Sequence, residues 1–275
     1  MPVIRTAADL ETFYQVDDFT DPWTEAPWIV LMHGVAESSD AWFGWIPHLA
    51  RRYRVLRFDV RGFGRSTPMP RDHAWSFAQI GDDLLALTNA LSIASFHLVA
   101  AKVGGTMALD FAAGRPPQLR SLTVLGTPVE GASSKQFGFS PDEIDQHGVG
   151  HWARRTMKNR LGTCLPEEGR EWWARMMEKT PASTQSGFMR FLPQVDVRPR
   201  LPLIQCPTLV VTTGDPANGA QIITGLDFVR SWQGTIPGSE LRIIPNDSFH
   251  IAATDPDRAA LATLEFIDRQ QRISP

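Results

Sequence analysis

The chain has few of the features that mark disulfide-bonded, membrane-spanning or nucleic-acid-binding proteins. Its 275 residues include only two cysteines, Cys164 and Cys206, which match no metal-binding or redox spacing. We therefore expect both to be reduced thiols. No apolar run reaches the roughly 20 residues that a membrane-spanning helix needs. The net charge of −3 gives no electrostatic reason to expect nucleic acid or an anionic membrane as a partner.

The first residues also lack the long apolar segment of a signal peptide, so we expect a cytoplasmic protein. With 43% hydrophobic and 21% charged residues, the composition is typical of a globular domain. A chain of this length can bury one large core. We expect no cofactor, and the sequence leaves the oligomeric state open.

One stretch, residues 96–114, carries the most informative pattern in the sequence. Residues 96–101 form a short apolar run that is typical of a strand buried on both faces, and a helix-like pattern follows over residues 106–113. The small residues Ala100, Gly104 and Gly105 suit a sharp strand-to-helix turn, the nucleophile elbow, which lifts one side chain above the sheet. At the tip, where a serine is usual, the sequence has Lys102.

Further apolar runs and helical patterns alternate along the chain. Residues 10–20 predict an opening antiparallel pair, and residues 76–91 and 257–272 predict helices. The remaining buried strands are predicted at residues 28–33, 55–59, 119–126, 207–211 and 241–244. This alternation predicts an α/β fold with a mainly parallel sheet covered by helices on both faces.

Five features occur in an order and at intervals that resemble the α/β-hydrolase fold, and the resemblance covers nearly the whole chain. They are the His33-Gly34 turn after a strand, the glycine-rich turn at residues 59–66, the elbow at Lys102, the strand at residue 207 leading to an Asp, and a late His250. Residues 196–207 are similar to the corresponding segment of the enol-lactone hydrolase and C–C hydrolase branch. The glycine-rich turn lacks the residue order of a phosphate-binding loop, so we interpret it as structural.

The resemblance implies a core formed by residues 1–130 and 204–275, with a helical cap at residues 131–203. It further implies that the backbone N–H groups of Val35 and Val103 form an oxyanion hole. His33 and Gly34 would border the substrate, with His33 shaping the loop rather than acting as a base.

The resemblance also assigns the remaining catalytic groups. His250 would be the general base and Asp215 its acid partner. The loop carrying Asp215 is one residue shorter than usual, so Glu130, after the preceding strand, is the alternative acid.

The cap region contains helix signals and no strand-like runs. Ser140-Pro141 is a typical helix start, and two further helices are predicted around residues 151–160 and 167–179. Among its residues, Trp152 and Arg155 are candidates for binding substrate. Arg155 would bind a carboxylate group of the substrate. His147 and His151 have the spacing of a helical metal pair, but glycines between them and the lack of a third ligand argue against a metal site.

A lysine at the elbow changes the chemistry that the family usually performs. The helix N-terminus, burial under the cap and a protonated His250 would each lower its pKa, whereas Asp215 or an anionic substrate would raise it. Attack by this amine on an ester would leave an amide that is as hard to hydrolyse as a peptide bond, so ordinary serine-type hydrolysis is disfavoured.

Three functions remain open. In one, His250 and Asp215 activate water while Lys102 polarises the carbonyl of a small diketone, enol-lactone or keto acid. In the second, Lys102 forms a Schiff base with a ketone or aldehyde and supports C–C cleavage, decarboxylation or elimination. In the third, the protein binds a ligand without catalysis.

Overall fold

The structure is a computed structural model, and it describes residues 2–131, 140–214 and 225–273. Its centre is an eight-stranded sheet with the order β1-β2-β4-β3-β5-β6-β7-β8. The first two strands pair antiparallel, and β2 is also antiparallel to β4, whereas all further pairs are parallel. The mainly parallel α/β fold predicted from the sequence is confirmed.

The parallel strands lie close to the predicted positions because most are apolar runs bounded by turn residues. The antiparallel pair predicted within residues 10–20 is a single strand there, Leu10–Asp17, and its antiparallel partner is the earlier strand Val3–Ala7. The inner parallel strands β3, β5, β6 and β7 are buried at most positions, and β5 at every one, whereas the edge strand β8 has no buried residue. The strands are β1 Val3–Ala7, β2 Leu10–Asp17, β3 Trp28–Met32, β4 Arg54–Phe58, β5 Phe96–Ala101, β6 Leu119–Leu125, β7 Thr208–Thr212 and β8 Glu240–Ile243.

The helices cover both faces of this sheet, as the sequence predicts for a parallel arrangement. They are α1 Ile46–Leu49, α2 Phe77–Ala90, α3 Val103–Ala113, α4 Pro141–Leu161, α5 Glu167–Glu178, α6 Ala182–Phe191, α7 Leu226–Gln233, α8 Ile251–Thr254 and α9 Pro256–Ile273, with short 3₁₀ helices at Ser39–Trp45, Leu192–Gln194 and Arg198–Leu203. None of the helices within the described ranges combines the length and the apolar character needed to cross a bilayer.

Helices α4, α5 and α6 lie between β6 and β7 in the chain, and we call residues 140–203 the insertion. Ser140 caps α4 by accepting the Glu143 N–H at 3.1 Å, as its sequence predicts. The two helices predicted from Ser140 and around residues 151–160 are both present: they meet at Gly148, whose φ of 81° is non-helical, and together form the kinked element α4. Helix α6 was not predicted, because its polar first half has no clear apolar period.

The insertion is anchored to the turns that follow the parallel strands. Thr180 Oγ1 donates to the carbonyl of Ala36 at 3.2 Å, and Thr184 Oγ1 accepts the N–H of Met69 at 2.9 Å. Because the carboxyl ends of parallel strands share one edge of the sheet, these bonds place the insertion over that edge.

Two glycines allow α3 to start directly beside its neighbouring turns. A Cβ on Gly104 would lie 2.2 Å from the carbonyl oxygen of His33, and one on Gly105 would lie 2.0 Å from Thr127 Oγ1. Gly34 is close to the elbow as well, since its Cβ would lie 3.2 Å from that of Lys102. The first turn of α3 therefore packs against the His33-Gly34 turn with no room for a side chain between them.

We predict that Gly104→Ala destabilises the protein by about 1–3 kcal/mol, because the added methyl group must displace backbone. Gly169→Ala is the matched control: its Cβ would meet no atom closer than 3.5 Å, and alanine favours the helix by up to about 1 kcal/mol. Urea unfolding of both variants measures the difference. Equal stability of Gly104→Ala and the wild type would contradict the packing described.

Candidate active site

The site is organised around the turn between β5 and α3. Lys102 adopts φ 55° and ψ −129°, a backbone conformation that only a well-supported non-glycine residue maintains. Its N–H donates to the carbonyl of Leu125 at 2.9 Å, and its carbonyl accepts the N–H of Gly105 at 2.9 Å. These bonds hold the turn from both sides, and the lysine side chain is 5% exposed.

His250 is held by the loop that follows β8 and by the insertion. Its N–H donates to Ser248 Oγ at 2.8 Å, and that hydroxyl donates to the carbonyl of Arg160 in α4 at 2.6 Å. The indole of Trp173 from α5 contacts the imidazole edge-on, with ring centroids 5.0 Å apart. The insertion therefore fixes the position of the histidine.

Glu37 lies between the lysine and the histidine, and the sequence analysis did not identify it. Its Oε1 accepts a hydrogen bond from Lys102 Nζ at 2.7 Å and one from His250 Nε2 at 2.9 Å. Its Oε2 accepts the N–H of Gly34 at 3.0 Å. We call Lys102, Glu37 and His250 the Lys–Glu–His cluster; all three side chains are at most 5% exposed.

The pKa values in the cluster follow from burial opposed by charge. Burial alone would raise the pKa of Glu37, but Lys102 and His250 hold it well below its usual value. Burial lowers the pKa of Lys102 from 10.5 to about 8, against the attraction of Glu37. Burial also lowers the pKa of His250, and Lys102 contributes in the same direction. At neutral pH the cluster therefore contains a carboxylate, an ammonium group and a neutral imidazole.

These charge states define the histidine tautomer. Because the carboxylate can only accept, the proton of neutral His250 must be on Nε2. Its Nδ1 is buried and has no hydrogen-bond partner within the described part of the chain. Asp215, the predicted acid partner, lies outside the described residues, so its role stays a prediction.

A second buried cation lies beside the cluster. Arg160 is 5% exposed and its guanidinium lies over the Trp152 ring, 4.3 Å from the centroid. Burial lowers its pKa to about 10, opposed by the attraction of Glu37, and its charge lowers the pKa of Lys102 and His250 in turn. Trp152, predicted as a substrate-binding residue, is fully buried against this arginine.

Two other predicted site residues have partners away from the cluster. Arg155 is half exposed and pairs with Glu143, its Nε lying 2.7 Å from Oε1. Glu130, the alternative acid, pairs with Arg198 at 2.8 Å. Among the described acids, the one hydrogen-bonded to His250 is Glu37.

The turn after β3 has a largely structural hydrogen-bond pattern. His33 Nδ1 donates to the carbonyl of Gly34 at 2.7 Å, and its Nε2 accepts the N–H of Val60 at 2.9 Å. Both ring nitrogens are thereby occupied, as expected for a loop-shaping residue. Val35 and Val103 follow Gly34 and Lys102 directly, on two turns that adjoin; their oxyanion-hole role stays a prediction.

One signal in the sequence points to Glu37. A buried lysine needs a counter-ion, and Glu37 is the first acid after the His33-Gly34 turn, which packs against the elbow. No group of three or more His, Cys, Asp or Glu residues that could hold a metal ion occurs in residues 2–131, 140–214 and 225–273.

Comparison with known proteins identifies the family. The sequence profile of the alpha/beta hydrolase fold matches residues 27–255, and the chain therefore belongs to the alpha/beta hydrolase family. It is 26% identical over 265 residues to a putative carbamate hydrolase, RutD, of Agrobacterium fabrum, covering 92% of this chain and 97% of the relative.

Further relatives agree in fold. The chain is 23% identical over 195 residues to 3-oxoadipate enol-lactonase 1 of Acinetobacter baylyi, covering 70% of this chain and 72% of that protein. The solved enol-lactonase of Burkholderia xenovorans LB400 superposes with a TM-score of 0.83 at 21% identity, covering 97% of this chain and all of that one. A thermophilic esterase of Thermogutta terrifontis superposes with a TM-score of 0.82 at 21% identity, over 98% and 99% of the chains. These relationships support an enzyme of the hydrolase class.

The lowered pKa of Lys102 predicts a distinctive dependence of stability on pH. The unfolded lysine titrates near 10.5 and the folded one near 8. Between these values the unfolded state binds more protons, so stability from this group rises with pH, by about 1.4 kcal/mol per pH unit. Urea unfolding from pH 7 to 10.5 should show this slope in the wild type and lose it in Lys102→Met. The exposed Lys158→Met is the control; identical slopes in all three proteins would contradict the assignment.

Proposed function

We propose that this protein hydrolyses or cleaves a small carbonyl compound, such as an enol-lactone, a diketone or a keto acid. In this proposal the ammonium group of Lys102 binds and polarises the carbonyl oxygen. The observation that supports it is the hydrogen bonding of Lys102: an ammonium group has three donors, and the one hydrogen-bond acceptor of Nζ among the described residues is Glu37. Two donors are thus left for a substrate oxygen.

The site suits stabilisation of a developing oxyanion. As water attacks the carbonyl carbon, negative charge builds on the oxygen beside the ammonium group. Such an interaction is stronger in a buried site than in water, because the dielectric is lower and the donor is already oriented. The N–H groups of Val35 and Val103 are proposed as additional donors. By family resemblance, His250 and Asp215 would activate the water; because the Nε2 proton of His250 is donated to Glu37, we give the histidine a positioning role instead.

The relatives are consistent with this chemistry at the level of reaction class. Their names include a carbamate hydrolase and an enol-lactonase, and both reactions add water to a carbonyl carbon. Direct attack by the Lys102 amine is disfavoured for such substrates, since the resulting amide would not turn over. We therefore place Lys102 in a non-covalent role.

A Schiff-base reaction is the second candidate, and the pKa of Lys102 near 8 favours it. At pH 7 roughly a tenth of the molecules would carry the free amine. That amine could condense with a ketone, releasing water, and the resulting iminium would accept the electron pair of the broken C–C bond.

Hydrolysis of defined probes tests the proposal. We expect wild-type protein to hydrolyse at least one of α-angelica lactone, acetylacetone and oxaloacetate. Chromatography of the products measures the rate. Lys102→Ala should lower kcat/KM at least about 100-fold, since removing one oxyanion donor has that effect. His250→Ala should also lower kcat/KM, because it removes one of the donors that position the Glu37 carboxylate, and Lys158→Ala should match the wild type.

The same samples distinguish the alternatives. Borohydride should leave Lys102 unmodified in the presence of each probe, as judged by peptide mass spectrometry. A stable adduct on Lys102 would instead establish the Schiff-base reaction. Turnover that is undiminished in Lys102→Ala would refute both enzymatic mechanisms. No turnover of any probe would refute the proposed substrate class and favour a ligand-binding protein.

A further inference from the structure

The two candidate proton carriers of the site share one acceptor atom. The bond from Lys102 Nζ and the bond from His250 Nε2 both end on Glu37 Oε1, at 2.7 and 2.9 Å. The other carboxylate oxygen accepts the N–H of Gly34 at 3.0 Å. Three donors from three different loops therefore fix the carboxylate. The two bonds at Oε1 occupy both of its lone pairs, whereas Oε2 keeps one lone pair that can accept a proton.

We propose that Glu37 is the catalytic base, accepting the proton of the attacking water and returning it to the leaving group, while His250 is a positioning residue for Glu37. This inference rests on the proposed function, since it assigns a further residue to that reaction. It revises the role that family resemblance gives to the histidine. The reason is the tautomer: His250 Nε2 already carries a proton and donates it to Glu37, so that nitrogen has no lone pair for a second one.

The step balances with the residues at hand. The water oxygen forms a bond to the carbonyl carbon, one water O–H bond breaks, and its proton moves to the free lone pair of Glu37 Oε2. The carbonyl π electrons move to the carbonyl oxygen, which accepts hydrogen bonds from Lys102. When the tetrahedral intermediate collapses, the bond to the enolate or alkoxide breaks and Glu37 returns the proton to that group. The carboxylate is restored and one water is consumed.

The charges around Glu37 explain how a carboxylate serves as a base here. It faces Lys102 from the elbow, His250 from the last loop, Arg160 from α4 and the neutral His33 from its own turn. In the resting site the Lys102 charge keeps the pKa of Glu37 low, against the effect of burial. As an oxyanion forms on the substrate it offsets that charge, and burial then favours protonation of Glu37. The base becomes stronger as the transition state is approached.

The competing interpretation is that Glu37 only neutralises Lys102. A glutamine at this position keeps an oxygen acceptor for Lys102 but takes up no proton, so it separates the two roles. If Glu37 is the base, Glu37→Gln loses a contribution made only in the transition state. If it is a counter-ion, the variant changes substrate binding and leaves kcat within a few-fold.

Steady-state kinetics on whichever of the three probes the wild type hydrolyses is the first test. We expect Glu37→Gln to lower kcat at least about 100-fold with KM changed less than about threefold. Glu37→Asp should recover part of the rate, since it keeps a carboxylate. Glu143→Gln, in the surface pair with Arg155, is the matched control. If Lys102→Ala is inactive but Glu37→Gln keeps a near-wild-type kcat, Glu37 is not the base although the proposed function stands.

A second test needs no substrate. Lys102→Met removes the ammonium charge while keeping a side chain of similar length. The variant therefore imitates the neutralisation of that charge by a substrate oxyanion. Infrared difference spectra of Lys102→Met, recorded across pH, follow the band of the protonated Glu37 carboxyl group. The band is assigned to Glu37 because it is absent from the double variant Lys102→Met/Glu37→Gln. We expect the pKa of Glu37 to rise above the ordinary value of a glutamate. A carboxyl that stays ionised below pH 4.5 in Lys102→Met overturns the proposal, whatever the protein hydrolyses.

Discussion

The contact between the Lys102 ammonium group and the Glu37 carboxylate is the interaction on which the rest of the site depends. Both groups are almost completely buried, 2.7 Å apart. A single charge in that environment would be very unfavourable, and removing one partner of a buried pair typically costs about 3–5 kcal/mol. The pair therefore determines that Lys102 is charged at neutral pH although burial lowers its pKa. It also determines the direction in which Glu37 and His250 hydrogen bond.

The parallel sheet brings these groups together. Glu37 lies in the turn after β3, Lys102 follows β5 and His250 follows β8, so all three extend from the same edge. The absence of a side chain on Gly104 allows the elbow to contact the His33-Gly34 turn, which places the Glu37 carboxylate within reach of Nζ. The insertion adds Trp173 against His250 and Arg160 beside the cluster. The fold thus places a buried Lys–Glu–His cluster at the turn where the family usually has a serine.

Much of this could be predicted from the sequence, and the failures have physical reasons. Buried parallel strands and sharp turns leave strong local signals, so the parallel strands and the turn at Lys102 lie where the sequence predicts, whereas the polar first strand was missed. Glu37 was missed because turns have no periodicity, and its importance appears only when three separate loops meet. Arg155 looked suitable for substrate binding. It is held at the surface by Glu143, which lies in the same helix α4 on the other side of the kink. Side-chain pairing across a kink cannot be read from a linear pattern.

The central claim is that Lys102 is a buried, paired ammonium group whose proton is easily lost. Titration of the side-chain nitrogens by ¹⁵N NMR measures this most directly, because the chain has only four lysines. The account predicts one lysine signal that is protonated at pH 7, titrates near pH 8 and is missing in Lys102→Met. If all the lysine signals of the wild type titrate near pH 10.5, and one of them is missing in Lys102→Met, then Lys102 has an ordinary pKa and the central claim is contradicted.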